Sequence, residues 1–295
     1  METLFGVPTQ ALFGQLLIGL INGSFYALLS LGLAVIFGLL NIINFAHGAQ
    51  YMMGAFCAYF LLEKLGLGYW WALAITPFAV GLVGMVIERL MLARLYQLDH
   101  LYGLLLTFGL ALIIQGLFRN EYGTSGIPYP MPEELSGGRN LGFMFLPNYR
   151  TWVIVASGVV CLATWFVIEK TKLGSYLRAA TENPALVQAF GVNVPRMITL
   201  TYGFGVALAA FAGVMAAPIY QVNPLMGADL IIVVFAVVVI GGMGSIMGSI
   251  VTGFALGLIE GLTKVFYPEA SNTVIFIIMA IVLMIRPAGL FGAQR

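Results

Sequence analysis

The chain has 295 residues, of which 61% are hydrophobic and 8% charged, against about 25% charged in soluble domains. Its net charge of +1 leaves no basic footprint for nucleic acid, and no run of alternating ten-residue strands suggests a β-barrel. Several apolar stretches reach the length that crosses a bilayer, so the composition predicts an all-α polytopic membrane protein of about 8–10 spans. It is expected to be one transmembrane domain over 1–295, with glycine-broken helices.

The chain opens METLFGVPTQ, without the basic region or the cleavage site of a signal peptide, so no cleaved leader is expected. From Ala11 to Leu62 there is no Asp, Glu, Lys or Arg. As one helix these 52 residues would be about 78 Å long, more than twice the hydrocarbon thickness. The polar cluster NIINFAHG, 41–48, is the only break, which predicts a reversal between spans near 13–38 and 46–62. Asn41, Asn44 and His47 fall at steps of three, a spacing that aligns on a 3₁₀ or broken segment and drifts on an α-helix. With Gln50 behind them, they suit two roles. They satisfy backbone groups freed by the reversal, or they form a polar gate near the cytoplasmic mouth.

Further spans are predicted near 70–90, 101–118, 151–168, 197–217, 229–246, 247–264 and 272–286, about nine in all. The break at 241–248, with Gly241, Gly242 and Gly244, divides the seventh from the eighth, or forms a re-entrant turn. Steps of four join Gly244 to Gly248, and Gly253 to Gly257 and Gly261. This pattern serves tight helix packing or a movable broken pair lining a pathway. NFAHGAQYMMGAFCAYFLLEKLG and GGMGSIMGSIVTGFALGLIEGLT share the order of break, glycine-spaced span and Glu, as an internal repeat would.

Two hydrophilic stretches stand out, 119–150 and 169–196. With 169–196 placed in the cytoplasm, Arg89, Arg94, Lys170, Lys172, Arg178, Arg196, Arg286 and Arg295 fall inside. Lys64, Arg119, Arg139, Arg150 and Lys264 fall outside. The positive-inside rule therefore puts the 119–150 loop outside. Within 169–196, TENPALVQAFG has the form of a short capped helix. Thr181, Glu182 or Asn183 suits the cap, Pro184 the first position and Gly191 the stop. Ala185, Leu186, Ala189 and Phe190 make an apolar face, which docks on the chain's own helices, on lipid or on a separate soluble subunit.

No catalytic or metal-binding set is present, and no G-x-x-x-x-G-K-[ST] sequence occurs. Cys57 and Cys161 sit in apolar spans and read as small core residues. Acids near span interiors are Glu88, beside Arg89; Asp229, at a span start; and Glu260, four before Lys264 and so placed for an i,i+4 pair. This is too few for a proton relay.

INGSFYALLSLGLAVIFGLLNIINFAHGAQYMMGAF (21–56), LRAATENPALVQAFGVNVPRMITLTYGFGVALAAFAGVMAA (177–217), VVIGGMGSIMGSIVTGFALGLIEGL (238–262) and RPAGLFG (286–292) resemble the permease subunits of branched-chain amino acid ABC importers, of the LivH kind. The resemblance implies half of a pore in a bacterial inner membrane, paired with a LivM-type permease or a homologous copy. It implies two cytoplasmic ATPases, which carry the ATP and Mg; this chain carries no cofactor. A periplasmic or lipid-tethered binding protein would deliver substrate to the outer face. For that docking Glu121, Glu133 and Glu134 are candidate ion-pair partners or plain solvated loop residues. The resemblance also makes 178–191 a coupling segment, including Arg178, Glu182, Asn183, Ala185, Phe190 and Gly191. It carries over the segment and not individual contacts, because Glu182 and Gly191 are spaced unlike the EAA loop of other importers. Relatives of the family move urea and other small polar solutes. Asn22, Ser24, Tyr26, Thr107 and Gln115, the polar groups of the spans, suit urea as well as an amino acid. An ATP-independent channel or secondary carrier is the reading from another class; its uptake would ignore ATP depletion.

Overall fold

The computed structural model describes residues 3–4, 6–40, 44–142 and 144–292; Asn41 and Arg295 lie outside the described residues. Eleven α-helices follow one another among them: α1 Thr9–Leu40, α2 Ala46–Leu65, α3 Tyr69–Leu90, α4 His100–Tyr122, α5 Asn148–Lys170, α6 Lys172–Glu182, α7 Pro184–Ala189, α8 Val194–Tyr220, α9 Ala228–Gly241, α10 Ile246–Phe266 and α11 Val274–Ile285. The only strands among these residues are two short antiparallel pairs, Thr3–Leu4 with Val7–Pro8 and Gly138–Asn140 with Phe145–Pro147. They are small exceptions to the all-α expectation and lie outside the helical body.

Each predicted span corresponds to a helix, but the helices differ in reach. Among the described residues six are long and apolar enough to cross a membrane: α1, α3, α4, α5, α8 and α10. α2 has 20 residues and carries His47, Gln50, Glu63 and Lys64. α9 and α11 have 14 and 12 residues. At 1.5 Å per residue they extend about 21 and 18 Å, short of the roughly 30 Å hydrocarbon core. Their ends explain the difference from the expected 229–246 and 272–286. Gly242 (φ 103°) and Gly244 (φ 84°) turn the chain directly after α9 in conformations that favour glycine. Arg286 precedes a proline and adopts φ −141°, ψ 83°, which ends α11.

α1 is the axis of the bundle. It carries no charged side chain, and 83% of its most apolar window is buried, against 17% for α4. α3, α4 and α5 form an exposed apolar side, with Phe78, Leu82, Leu105, Leu117, Val159 and Leu162 exposed. α10 lies antiparallel along α1, with Gly38 against Gly244 at one end and Gly19 against Gly261 at the other. The approach is backbone to backbone: a Cβ on Gly257 would collide with the Gly19 carbonyl and the Gly23 Cα. Between apolar helices in lipid no hydrophobic gain separates packed from unpacked, so such close van der Waals contact supplies the association. On the other side of α1, Gly32 meets Gly205 of α8, and α8 receives α2 at Gly54 and Gly213. α2 runs toward the same end as α8, whereas α10 opposes α1. The two glycine-broken blocks thus pack in non-equivalent ways.

The two ends of the bundle differ. One holds the start of α5 and the 123–147 loop, and an aromatic belt surrounds it. There Trp152 Nε1 donates to the Tyr69 hydroxyl (3.0 Å), and Tyr149 Oη to the Met215 carbonyl (2.9 Å). Trp70 Nε1 donates to Glu134 (3.3 Å). Ile127 pairs with Val222 across the end of α8. Tyr129 is buried there and its hydroxyl is pushed up to about 12 by desolvation. The opposite end holds α6, α7 and the 241–245 turn.

Gly257→Leu is expected to lower stability by on the order of 3 kcal/mol through overpacking, and with it the recovery of folded protein. Gly14→Leu, where an added Cβ meets nothing within 4 Å, is expected to leave both unchanged. Thermal unfolding of the two detergent-purified variants checks the contrast.

Candidate functional site

The 169–196 segment folds as two helices rather than one. Gly174 sits so close to the Ile168 carbonyl that no side chain fits, which turns α6 sharply off the end of α5. Arg178 reaches back over that turn. It pairs with Glu169 (3.3 Å) and donates to the Ile168 carbonyl (3.4 Å). α6 ends at Glu182, which is exposed, and Asn183 restarts the chain as α7. The Asn183 side chain accepts from Leu186 N (3.0 Å), Pro184 takes the first turn, and Gly191 (φ 86°) stops the segment. The expected apolar face does not dock on the chain's own helices. Leu186 is 54% and Phe190 80% exposed, and Ala185 and Ala189 are exposed as well. Val187 is the residue that faces inward, packed with Leu177, Ala180, Val194 and Met197. α7 is thus anchored by one side chain and presents the rest.

Beside α6, a cleft is lined by Gly38, Arg178, Gly244 and Ile246. It joins the 169–196 segment to the end of α1 and to the glycine turn. Of the three turn glycines only Gly244 lines it. Gly241 and Gly242 are buried, because 289–292 is strapped across them. Leu290 N donates to the Ile240 carbonyl (2.8 Å) and Phe291 N to the Gly241 carbonyl (3.1 Å). The RPAGLFG sequence therefore holds the turn shut from one side, while Gly38 holds it from the other.

The other polar cluster lies elsewhere. His47 Nε2 donates to the Leu29 carbonyl (3.0 Å), eleven residues before the end of α1, about 16 Å up the helix. The reversal consequently climbs back into the bundle, and Asn44 and His47 sit at depth rather than at the cytoplasmic mouth. Asn44, His47 and Gln50 are all buried. His47 N bonds the Asn44 carbonyl (3.2 Å), a single tight i→i+3 turn before α2. Asn44 Nδ2 donates to Gln50 Oε1 (3.1 Å) and Gln50 Nε2 to the Tyr202 hydroxyl of α8 (3.2 Å). Phe45 N is taken by Thr107 of α4 (3.2 Å). The imidazole occupies space that Gly32 leaves, since a Cβ there would stand 3.0 Å from its Cε1. Directly beyond, Gly48 abuts Gly227, so α2 and α9 begin back to back. Neither start has a side-chain cap, as in the broken helices of transporters.

Two buried acids have partners remote in sequence. Glu88 adjoins Arg89 but is buried, and both oxygens accept, from Tyr96 Oη (2.5 Å) and Thr199 Oγ1 (2.6 Å). It ties the end of α3 to the start of α8. Its only local signal is Tyr96, eight residues on; Thr199 is remote in sequence. Glu260 forms the expected i,i+4 pair with Lys264 and also accepts from Tyr26 Oη (2.7 Å) and Asn22 Nδ2 (3.3 Å) of α1.

His47→Ala removes the bond to Leu29 and leaves a cavity. It is expected to cost roughly 2–4 kcal/mol, read as a lower unfolding temperature and lower yield, with uptake per folded molecule retained. Loss of uptake at unchanged stability would assign His47 to the pathway instead.

The profile of the family described as branched-chain amino acid transport system / permease component matches residues 15–283. The chain is 28% identical to the high-affinity branched-chain amino acid transport system permease protein LivH of Escherichia coli (strain K12), covering 94% of each chain. It is 30% identical to the corresponding protein BraD of Pseudomonas aeruginosa (strain PAO1), over 94% of this chain and 95% of that one. It is 28% identical to LivM of Escherichia coli (strain K12), over 92% of this chain and 68% of that one. No solved structure matches. The match runs from the second turn of α1 to the last turn of α11, and the chain belongs to the family of branched-chain amino acid transport system permease components.

Proposed function

We propose that the chain is one permease half of an ATP-driven ABC importer for a branched-chain amino acid, set in a bacterial inner membrane. A LivM-type permease or a homologous copy completes the pore. Two cytoplasmic ATPases, holding ATP and Mg, bind beneath it, and a periplasmic or lipid-tethered binding protein loads it from the 119–150 side. The names of the relatives support the substrate and the two-permease arrangement. As a permease component the chain is not an enzyme, in keeping with its lack of a Walker A sequence.

The observation that carries the reading is α7. A helix with Leu186 54% exposed and the residue after it, Phe190, 80% exposed, yet fixed to its own chain through Val187, is a preformed plug for a groove on another protein. Burying two such side chains contributes about 1.5–3 kcal/mol each, enough to make them anchors of an interface. Asn183 and Gly191 set the ends of this plug, Ala185 lies on its exposed side, and Arg178 and Glu182 flank it on α6. Movement of α7 would reach Arg178, and through the cleft Gly38 and Gly244, so ATPase motion has a short path to α1 and α10. Asn44, His47, Gln50 and the 241–244 glycines are then the joints of the pathway rather than its lining.

Ala185→Asp with Phe190→Asp is expected to reduce co-purification of the cognate ATPases at least tenfold. Both positions are exposed, so the permease itself should unfold at its usual temperature. Undiminished association would refute the docking role of α7.

A further inference from the structure

An open cavity of about 280 Å³ lies between α1, α2, the end of α8 and the start of α9. That volume is close to the lower end of the roughly 300–1,000 Å³ range of small-ligand sites. Its polar lining is Asn22, Tyr26, Tyr51, Tyr220, Asn223 and Asp229. Asn22 is thirteen residues into α1, about 20 Å from its start, so the cavity is at membrane depth.

The charges around it are uneven. Glu260, behind the wall, is compensated by Lys264 and by the donors Tyr26 and Asn22. Tyr220 Oη donates to Asn22 Oδ1 (2.6 Å) and completes a chain that fixes the wall. Asp229 has no ion pair and accepts no hydrogen bond among the described residues. No Lys or Arg lines the cavity. The first turn of α9 favours a negative charge there but does not neutralise it. Asp229 is exposed to this open cavity, and a carboxylate placed there without a cation is available to receive one.

The remaining lining says which cation. Asn223 Oδ1 is used by Leu225 N (2.9 Å), which leaves its Nδ2 as a donor, and Tyr51 supplies a hydroxyl. These suit a carboxylate beside the cationic group. Phe25, Met226 and Leu230 make an apolar wall. Carboxylate, neutral donors and an apolar wall match the ammonium, the carboxylate and the side chain of one solute.

We propose that this cavity is a transient recognition site for an aliphatic α-amino acid in transit, with its ammonium on Asp229, its carboxylate toward Asn223 and Tyr51, and its side chain on Phe25, Met226 and Leu230. The site rests on the permease reading and narrows it: urea, which has no cationic group, gains hydrogen bonds from a fixed carboxylate but no ion pair. A pathway site must bind weakly enough to release, so its effect shows in flux rather than in equilibrium affinity.

The test is ATP-driven uptake of labelled leucine by the complete importer in proteoliposomes, comparing wild type, Asp229→Asn and Asp229→Glu. Asp229→Asn should cut leucine import per assembled complex at least tenfold and raise the ATP hydrolysed per leucine imported. Asp229→Glu, which keeps the charge, should import faster than Asp229→Asn. Wild-type import by Asp229→Asn would overturn the site. So would poor recovery of that complex with normal import by each surviving one, which would make Asp229 an interfacial contact between permeases. A wild-type importer that moves no leucine on ATP would instead remove the permease reading itself, and the site with it.

Discussion

The contact on which the rest depends is the backbone approach of α1 and α10. Gly19 and Gly23 on one helix and Gly253, Gly257 and Gly261 on the other let the main chains touch along most of their length. In lipid, side-chain hydrophobicity does not draw helices together, so this closeness is itself the source of attraction. It makes α1 the buried axis and sets the depth of everything attached to it. It brings Glu260 against Asn22 and Tyr26, and Gly244 against Gly38. The turn after α9 therefore meets the end of α1 at the end of the bundle where α6 docks. The proposed coupling segment and the proposed joints of the pathway are neighbours because two glycine stripes are in register.

The second constraint is that polar groups inside the bundle must find partners there. Most do, and they act as ties between remote helices. Asn44 and Gln50 join the start of α2 to α8, Thr107 takes the free N–H of Phe45, and Glu88 joins α3 to α8. Broken backbone in a membrane protein is tolerated where such groups satisfy it. At 44–47 Thr107 takes the Phe45 N–H and the Asn44 carbonyl takes that of His47, while Asn44 Oδ1 and His47 Nδ1 stay buried without a partner among the described residues. Asp229 stands apart from these ties as an acid without an ion pair, which is why it is the group proposed to meet a solute.

Features with a local cause were legible in the sequence. The fold-back followed from 52 charge-free residues and one polar cluster, and α2 starts at Ala46, where that cluster placed it. Asn183, Pro184 and Gly191 carry their cap, first-turn and stop signals within a few residues. The depth of the reversal was not legible, because it is set by Leu29 and Gly32 accommodating His47. The end of α9 at Gly241 was hidden because residue type alone does not report the backbone turn at Gly242 and Gly244. The strap of 290–291 over 240–241 and the bond from Thr199 to Glu88 join residues tens of positions apart, and no local pattern encodes them. Exposure of Phe190 is likewise a tertiary fact: the sequence supplied the apolar face but not what it faces.

The central claim is that this chain conducts substrate only as part of a powered assembly. The most direct measurement is concentrative leucine uptake into proteoliposomes, made with the purified chain alone and then with its partner permease, ATPases and binding protein. The account predicts no accumulation by the single chain, and accumulation by the full set that stops when ATP is withdrawn. Concentrative uptake by the chain alone, or uptake by the full set that persists without ATP, would contradict it.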